Sequence, residues 1–138
     1  MVTGGLYGIY SHNDGSGALT IKAYGDVTGT DISGINARNY GTDLGVTTGA
    51  GTTVAGDQYG IRARNYGTGA LTVTANGDVT GTNRIGIFAR NYGTDLGVTT
   101  GAGTTVTGDD IGIYARNDGS GALTIKAYGD VTGTDISG

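Results

Sequence analysis

The chain has 138 residues, 30 of them glycine, with no proline, cysteine or tryptophan and a formal net charge of −4 at pH 7. This composition excludes a disulfide framework, a thiolate metal site and a thiol nucleophile. It also lacks the basic footprint of a nucleic-acid-binding protein, and no apolar run reaches the roughly 18 residues of a membrane-spanning helix.

The hexapeptide GIYARN at residues 112–117 recurs at a constant spacing as GIYSHN, GINARN, GIRARN and GIFARN, which begin at Gly8, Gly34, Gly60 and Gly86. Odd units continue as GALTIKAYGDVTGT or a close variant, and even units as TDLGVTTGAGTTV, so a longer period of two units is superimposed. A fixed period of this length predicts a solenoid of stacked coils.

The repeat divides the whole chain, residues 1–138, as a single solenoid domain. Its parts are a partial coil at residues 1–7, five repeats at residues 8–33, 34–59, 60–85, 86–111 and 112–137, and the start of a further repeat at residue 138.

Each unit alternates with period two in short β-branched runs bounded by glycine, which predicts three strands per coil. The first strand is GIYARN, in which Ile113, Ala115 and Asn117 face inward and Tyr114 and Arg116 face outward.

The second and third strands complete the coil. In ALTIKAYG we expect Leu123, Ile125 and Ala127 inside, and in DVTG we expect Val131 inside. Even units place Leu44, Val46 and either Thr48 or Ala50 inside. The fold class predicted is therefore all-β: a parallel β-helix (β-solenoid) with three strands per coil, five 26-residue coils and a narrow aliphatic core without a large aromatic side chain.

One column of the stack is asparagine in every coil. By alternation these side chains point inward at a corner, where each amide can donate to the amide of one neighbour and accept from the other. We interpret the column as a structural ladder rather than a catalytic feature; it consists of Asn13, Asn39, Asn65, Asn91 and Asn117.

Two outward columns are candidates for binding. The first contains His12, Arg38, Arg64, Arg90 and Arg116, and it is either an anion-binding stripe for sulfated or acidic glycans or a solvated face paired with Asp. His12, the only histidine, is interpreted as a substituted surface residue.

Aromatic residues form the second outward group. Tyr40, Tyr66 and Tyr92 follow the asparagines, while Tyr10, Phe88 and Tyr114 lie on the outer face of the first strand. Such rows can stack on sugar rings, form a protein contact or support one another along the sheet.

Other polar groups give weaker indications. The neighbouring Asp109 and Asp110 are interpreted as turn residues rather than a catalytic pair, and GTD at residues 41–43 matches a calcium-binding nonapeptide poorly. We expect no catalytic residue, no metal site and no cofactor. A hydroxyl array that orders ice is a further hypothesis, based on four pairs: Thr47 and Thr48, Thr52 and Thr53, Thr99 and Thr100, and Thr104 and Thr105.

The repeats, of the form GIxARNxGTxxLxVTTxGxVTGxxxxGI, resemble the passenger regions of bacterial autotransporters and related secreted adhesins. GIYARN, GALTIKAYGDVTG and NYGTDLGVTTGAGTTV carry the resemblance, which covers essentially the whole chain. It implies a right-handed β-helix, a secreted or bacterial cell-surface location, and a stalk or adhesive role.

We therefore expect a noncatalytic structural scaffold of an extracellular or cell-surface adhesin or fibre. No proline, charged cap or amphipathic helix is evident at either end of the repeat array, so we expect head-to-tail self-association through unpaired strand edges. The alternative is a module that binds glycans or a host surface protein through its Arg and Tyr columns. We expect neither nucleic-acid binding nor membrane insertion by this chain.

Overall fold

The computed structural model describes residues 1–134 and contains only strands, turns and bends in that range. The predicted end of the fifth repeat, at residues 135–137, and the start of a further repeat at residue 138 lie outside the described residues. Every strand pairs in parallel with its counterpart in at least one adjacent coil, and the strands form three sheets. The predicted parallel β-solenoid of about five coils with three strands per coil is confirmed.

The strands are numbered along the chain. Sheet 1 consists of β2 (Tyr7–Asn13), β5 (Ser33–Asn39), β8 (Tyr59–Asn65), β11 (Ile85–Asn91) and β14 (Ile111–Asn117). Sheet 2 consists of β3 (Leu19–Ala23), β6 (Leu44–Thr48), β9 (Leu71–Ala75), β12 (Leu96–Thr100) and β15 (Leu123–Ala127). Sheet 3 consists of β1 (Val2–Gly4), β4 (Val27–Gly29), β7 (Thr53–Gly56), β10 (Asp78–Gly81), β13 (Thr105–Gly108) and β16 (Asp130–Gly133).

The core is a set of aliphatic columns that run along the solenoid axis. Sheet 1 contributes isoleucine and alanine, sheet 2 leucine, valine, isoleucine and alanine, and sheet 3 valine, as the alternation predicted. Ile61, Leu71 and Val73 in the central coil are fully buried. Each such side chain stabilises the fold by about 1.5–3 kcal/mol through removal of apolar surface from water. Of the two inward alternatives in the even coil, Thr48 is buried and Ala50 is exposed.

The glycine that precedes each core isoleucine of sheet 1 has a packing reason. A Cβ at Gly34 would lie 2.6 Å from Val54 Cγ1 and 2.8 Å from the carbonyl oxygen of Gly60. The chain turns from sheet 3 into sheet 1 here, and the strand lies too close to the valine column for any side chain. This close approach explains why the Gly-Ile pair recurs in every coil.

The constant length of the repeat conceals compensating differences between odd and even coils. In sheet 1 the paired residues are one repeat apart, as for Ile35 and Ile61. In sheet 2 Leu44 pairs with Leu71, a single residue beyond the repeat length, and Leu71 pairs with Leu96, a single residue short of it.

These offsets arise at the corners. The corner between sheets 2 and 3 is longer in even coils, and the other two corners are longer in odd coils. The extra residues of the even corner include Gly51 and Gly103, whose φ angles of 72° and 74° favour glycine.

Candidate functional site

The five asparagines lie in one hydrogen-bonded column at the corner between sheets 1 and 2. In the first four coils the side-chain Nδ2 donates to the Oδ1 of the asparagine in the next coil, at 2.8 to 3.1 Å, and in the last coil Asn117 Nδ2 donates to backbone carbonyl oxygens. Asn39, Asn65 and Asn91 are fully buried. The same amides also hold the corner, because Asn39 Nδ2 donates to the carbonyl oxygen of Thr42 and the backbone N–H of Gly41 donates to Asn39 Oδ1. These contacts give the column a structural role in joining coils.

Aspartates at two corners form a second kind of link between coils. The backbone N–H of Ala70 donates to Asp43 Oδ1 at 2.8 Å, and that of Thr105 donates to Asp78 Oδ1 at 2.8 Å. The sequence analysis considered GTD at residues 41–43 only as a poor calcium-binding match and did not single out Asp78, although Asp43 recurs as Asp95 and Asp78 recurs as Asp26. The contacts are structural: each carboxylate satisfies a backbone donor of the following coil.

The remaining acid and hydroxyl candidates occupy structural positions. Asp109 and Asp110 lie in the corner between β13 and β14. No group of three or more His, Cys, Asp or Glu side chains that could hold a metal ion occurs among residues 1–134. One threonine of each predicted pair is buried, and the Thr52 hydroxyl donates to the carbonyl oxygen of Gly49 at 2.7 Å. Half of the hydroxyls proposed for an ice-ordering array therefore lie inside the corners.

The arginine column lies on the outer face of sheet 1, in the predicted register. Arg38, Arg64 and Arg90 are partly buried, and Arg116 is exposed. Tyrosine rings contact two of the guanidinium groups: Arg38 Cζ lies 5.0 Å from the centroid of Tyr40 and Arg90 Cζ lies 4.8 Å from that of Tyr92, both cation–π distances. Pairing with Asp, one of the alternatives considered for this column, occurs at Arg90 and Arg116.

The corner tyrosines form a continuous stack. The ring centroids of Tyr40 and Tyr66 are 5.0 Å apart with planes inclined by 13°, and those of Tyr66 and Tyr92 are 5.0 Å apart at 16°. Arg38 Cζ is also 5.2 Å from the Tyr66 centroid, and the Arg38 Nη2 donates to the Tyr40 hydroxyl. The ring faces contact one another and the arginines, so their exposed parts are edges and hydroxyl groups.

A second outward column, one alternation earlier on each strand, was only partly recognised from the sequence. It contains Tyr10, Asn36, Arg62, Phe88 and Tyr114. Phe88 and Tyr114 stack at 5.1 Å between centroids with an angle of 7°. Arg62 Cζ lies 4.9 Å from the Tyr59 centroid and 5.9 Å from that of Phe88. Alternation in GIRARN already placed Arg62 outward, and this was the signal that could have added it to the candidates.

Tyr59 is the one large aromatic residue that the structure buries among the described residues, at 5% exposure. It is outside the aliphatic core cluster and packs instead under Arg62 and Arg84, whose Nη1 donates to the Tyr59 hydroxyl at 2.6 Å. The expectation of an aliphatic core therefore holds, and the buried tyrosine belongs to the outer layer of sheet 1.

We call the outward surface formed by Arg38, Arg62, Arg64, Arg90, Arg116, Tyr40, Tyr66 and Tyr92 the arginine–tyrosine face. Among the described residues, the carboxylates within salt-bridge distance lie at the two ends of the column formed by His12 and the arginines. His12 Nε2 lies 2.9 Å from Asp14 Oδ1, and Asp118 accepts from Arg90 Nε at 3.0 Å and Arg116 Nε at 2.9 Å. The hydrogen bond from Arg90, with that from Arg116, lowers the pKa of Asp118.

The centre of the face carries unbalanced positive charge. Arg38, Arg62 and Arg64 make no salt bridge with the carboxylates of residues 1–134, and the Nε atom of each is buried without a hydrogen-bond partner there. Burial lowers the pKa of Arg62, and the charge of Arg64 lowers it further. An arginine nevertheless stays protonated at neutral pH, so the face can attract anions.

No protein-family model, no curated protein and no solved structure matches the chain. The similarity to autotransporter passengers thus stays an expectation drawn from the repeat pattern. Among the described residues there is no helix with the length and hydropathy needed to cross a bilayer.

Proposed function

We propose that the chain is a noncatalytic structural scaffold that self-associates end to end, and, by its resemblance to secreted adhesins, that it acts outside the cell or on a bacterial surface. The observation that supports this proposal is that all three sheets end in strand edges at the same two faces of the stack. Within residues 1–134, β1, β2 and β3 have no partner on one side, and β14, β15 and β16 have none on the other. Unpaired edges are templates for pairing with another chain.

Apolar side chains of the core columns are also exposed at the end of the stack. In the last coil Leu123 and Ile125 are 46% and 47% exposed, whereas Leu71 and Val73 at the same positions of the central coil are fully buried. A second copy stacked on this end would cover the apolar columns in the way that each coil covers the one before it. Burial of these columns provides a driving force of about 25 cal/mol per Å² of apolar surface.

The asparagine column favours head-to-tail over head-to-head stacking. The Nδ2 groups of Asn13, Asn39, Asn65 and Asn91 each donate to the Oδ1 of the following coil, so a head-to-tail junction would continue the column in the same sense, with Asn117 Nδ2 facing Asn13 Oδ1 of the next copy. Two copies joined through the same end would oppose like groups. The parallel strand order would also be preserved only in the head-to-tail arrangement.

The number of strands in each sheet indicates that one strand of sheet 3 must be displaced at such a junction. Sheet 3 has six strands and the other two sheets have five. If an incoming copy pairs its β2 and β3 with β14 and β15, its β1 falls at the position that β16 already occupies. We expect β1 to be displaced, because it has three residues and its Val2 side chain is 44% exposed.

The test is the assembly state of the full chain across a concentration series, measured by light scattering and negative-stain electron microscopy. We expect single-stack filaments, and deletion of residues 1–6 should strengthen association by removing the competing strand. Ile125→Lys, which places a charge on the open core face, should block assembly. Thr124→Lys on the outer side of the same strand is the matched control.

Two outcomes would refute the proposal. One is a monomer at all concentrations for both the full and the shortened chain. The other is an equal loss of assembly in Ile125→Lys and Thr124→Lys, because burial of the apolar columns would then have no part in association.

A further inference from the structure

We propose that the arginine–tyrosine face binds a linear anionic polysaccharide, one that carries sulfate or carboxylate groups along its length, with the polymer parallel to the solenoid axis. This inference concerns the side of the stack and does not depend on association through its ends.

Charge segregation is the first step of the argument. The chain has a net charge of −4, yet all six arginines lie on one side of it: five point outward from sheet 1, and Arg84 immediately precedes β11. The two lysines, Lys22 and Lys126, are on the outer face of sheet 2. A surface of one sign on a protein of the opposite net charge requires complementary charge in its partner.

The three central arginines have no carboxylate counterion among the described residues. Asp118 pairs with Arg90 and Arg116 at one end, but Arg38, Arg62 and Arg64 have no carboxylate within salt-bridge distance in the part of the chain that the structure describes. Three partly buried guanidinium groups on adjacent strands repel one another, and the neighbouring charge contributes to the lowered pKa of Arg62. Bound anions relieve this repulsion.

The third step is preorganisation. Arg38 packs beside the stacked rings of Tyr40 and Tyr66, and Arg62 packs against Tyr59. A guanidinium has five N–H donors, so one held against a ring keeps donors for sulfate or carboxylate even where, as in Arg38, Nη2 already donates to a tyrosine hydroxyl. Because these side chains are already ordered, less conformational entropy is lost on binding.

The repetition of arginine from coil to coil favours a polymer as the ligand. Adjacent strands are about 4.8 Å apart, so the column offers one guanidinium per coil over four consecutive coils. A single small anion contacts one or two of them, whereas a chain with repeated charges engages several at once and gains from high effective concentration.

The geometry of the tyrosine stack favours a charged sugar over a neutral sugar as the ligand. Ring faces at 5.0 Å spacing and angles of 13° and 16° are occupied by one another, which leaves no face for a sugar ring or a nucleobase. Recognition therefore depends on charge, and binding should weaken as salt screens it over about 10 Å at 0.1 M. The same geometry disfavours single-stranded nucleic acid as the partner.

The test uses heparin as the probe, with desulfated heparin and neutral dextran for comparison, in calorimetry on the full chain at low and moderate salt. We expect heparin to bind, desulfated heparin, which keeps its carboxylates, to bind with intermediate affinity, dextran to bind at least about tenfold more weakly than heparin, and added salt to reduce affinity. The triple variant R38S/R62S/R64S should lose at least about tenfold in affinity while its assembly state, followed by light scattering, is unchanged. The double variant K22S/K126S removes charge from sheet 2 and is the matched control.

A second variant guards against loss of packing, since Arg62 and Arg64 are partly buried. R38K/R62K/R64K keeps the charge but loses the planar fork, and we expect intermediate affinity with an unchanged circular dichroism spectrum. The proposal is overturned if heparin does not bind, if K22S/K126S weakens binding as much as the arginine variants, if dextran binds as well as heparin, or if a single-stranded oligonucleotide of equal charge displaces heparin at equal concentration.

Discussion

Replacing Asn65 with alanine removes the central member of the asparagine column. Asn65 is fully buried; its Nδ2 donates to Asn91 Oδ1 at 3.0 Å and to the carbonyl oxygen of Gly69 at 3.2 Å. Its Oδ1 accepts from Asn39 Nδ2 at 2.9 Å and from the backbone N–H of Gly67 at 3.1 Å. The substitution leaves two buried groups without a partner among the described residues, Asn91 Oδ1 and the N–H of Gly67.

The magnitude follows from these two groups. Each buried donor or acceptor left unsatisfied costs about 1–3 kcal/mol, so the free energy of unfolding should fall by about 2–6 kcal/mol. Asn39 Nδ2 adds little to this cost because it keeps the carbonyl oxygens of Thr42 and Asp43 at 3.1 Å.

Asn13→Ala is the matched control, with the same residue type at the same corner of the first coil. Asn13 is half-buried, water reaches the groups it contacts, and Asn39 Oδ1 keeps the N–H of Gly41. We expect a loss of about 1 kcal/mol or less. Urea denaturation of both variants, followed by circular dichroism at dilute concentration, measures the difference. Unfolding free energies of the two variants within about 0.5 kcal/mol of each other would show that the ladder does not stabilise the core.

Two further predictions concern a corner and a titration. Gly51→Ala should lower the free energy of unfolding by about 1–2 kcal/mol through the φ angle of 72° alone, because an added Cβ meets no atom within 4 Å. Gly45 is equally open but has no positive φ, so Gly45→Ala should be neutral or slightly stabilising. Equal melting temperatures of the two variants would contradict this prediction. Because the pKa of Asp118 is lowered in the folded state, its stabilising contribution is complete above about pH 4 and is lost as the pH falls through that lowered pKa. Asp118→Asn should therefore be less stable than the parent above that pH range and equal to it in strong acid. Carbon-13 detection of the Asp118 carboxyl tests the direction, and titration at or above the ordinary value of an aspartate would contradict it.

The candidate site was predictable to the extent that it depends on alternation within one strand. GIYARN alone indicates which side chains share a face, and the constant repeat length aligns these faces from coil to coil, so Asn, Arg and Tyr columns could be named. The partners of each guanidinium could not be named. Whether Arg38 meets a carboxylate or the ring of Tyr66 depends on side-chain packing across coils, and the sequence pattern leaves that choice open.

The contacts at the corners also could not be predicted from the sequence. Glycine was predicted to bound the strands, but the hydrogen bonds from backbone N–H groups to Asp43 and Asp78 join residues 27 positions apart and depend on where each coil rests on the next. The burial of Thr48 rather than Ala50 likewise follows from the longer even corner, which carries Ala50 away from the core.

The sequence by itself determined the class of fold, because a strict repeat with period-two alternation leaves a stacked coil as the arrangement that buries every aliphatic column. The tertiary structure decided the lengths of the corners, the burial of Tyr59 outside the core, the self-contact of the tyrosine stack and the absence, within residues 1–134, of a carboxylate paired with Arg38, Arg62 or Arg64. The physical reason is that alternation sets the direction of each side chain, whereas contacts between coils depend on registers that shift by a single residue from one sheet to the next and that only the assembled backbone defines.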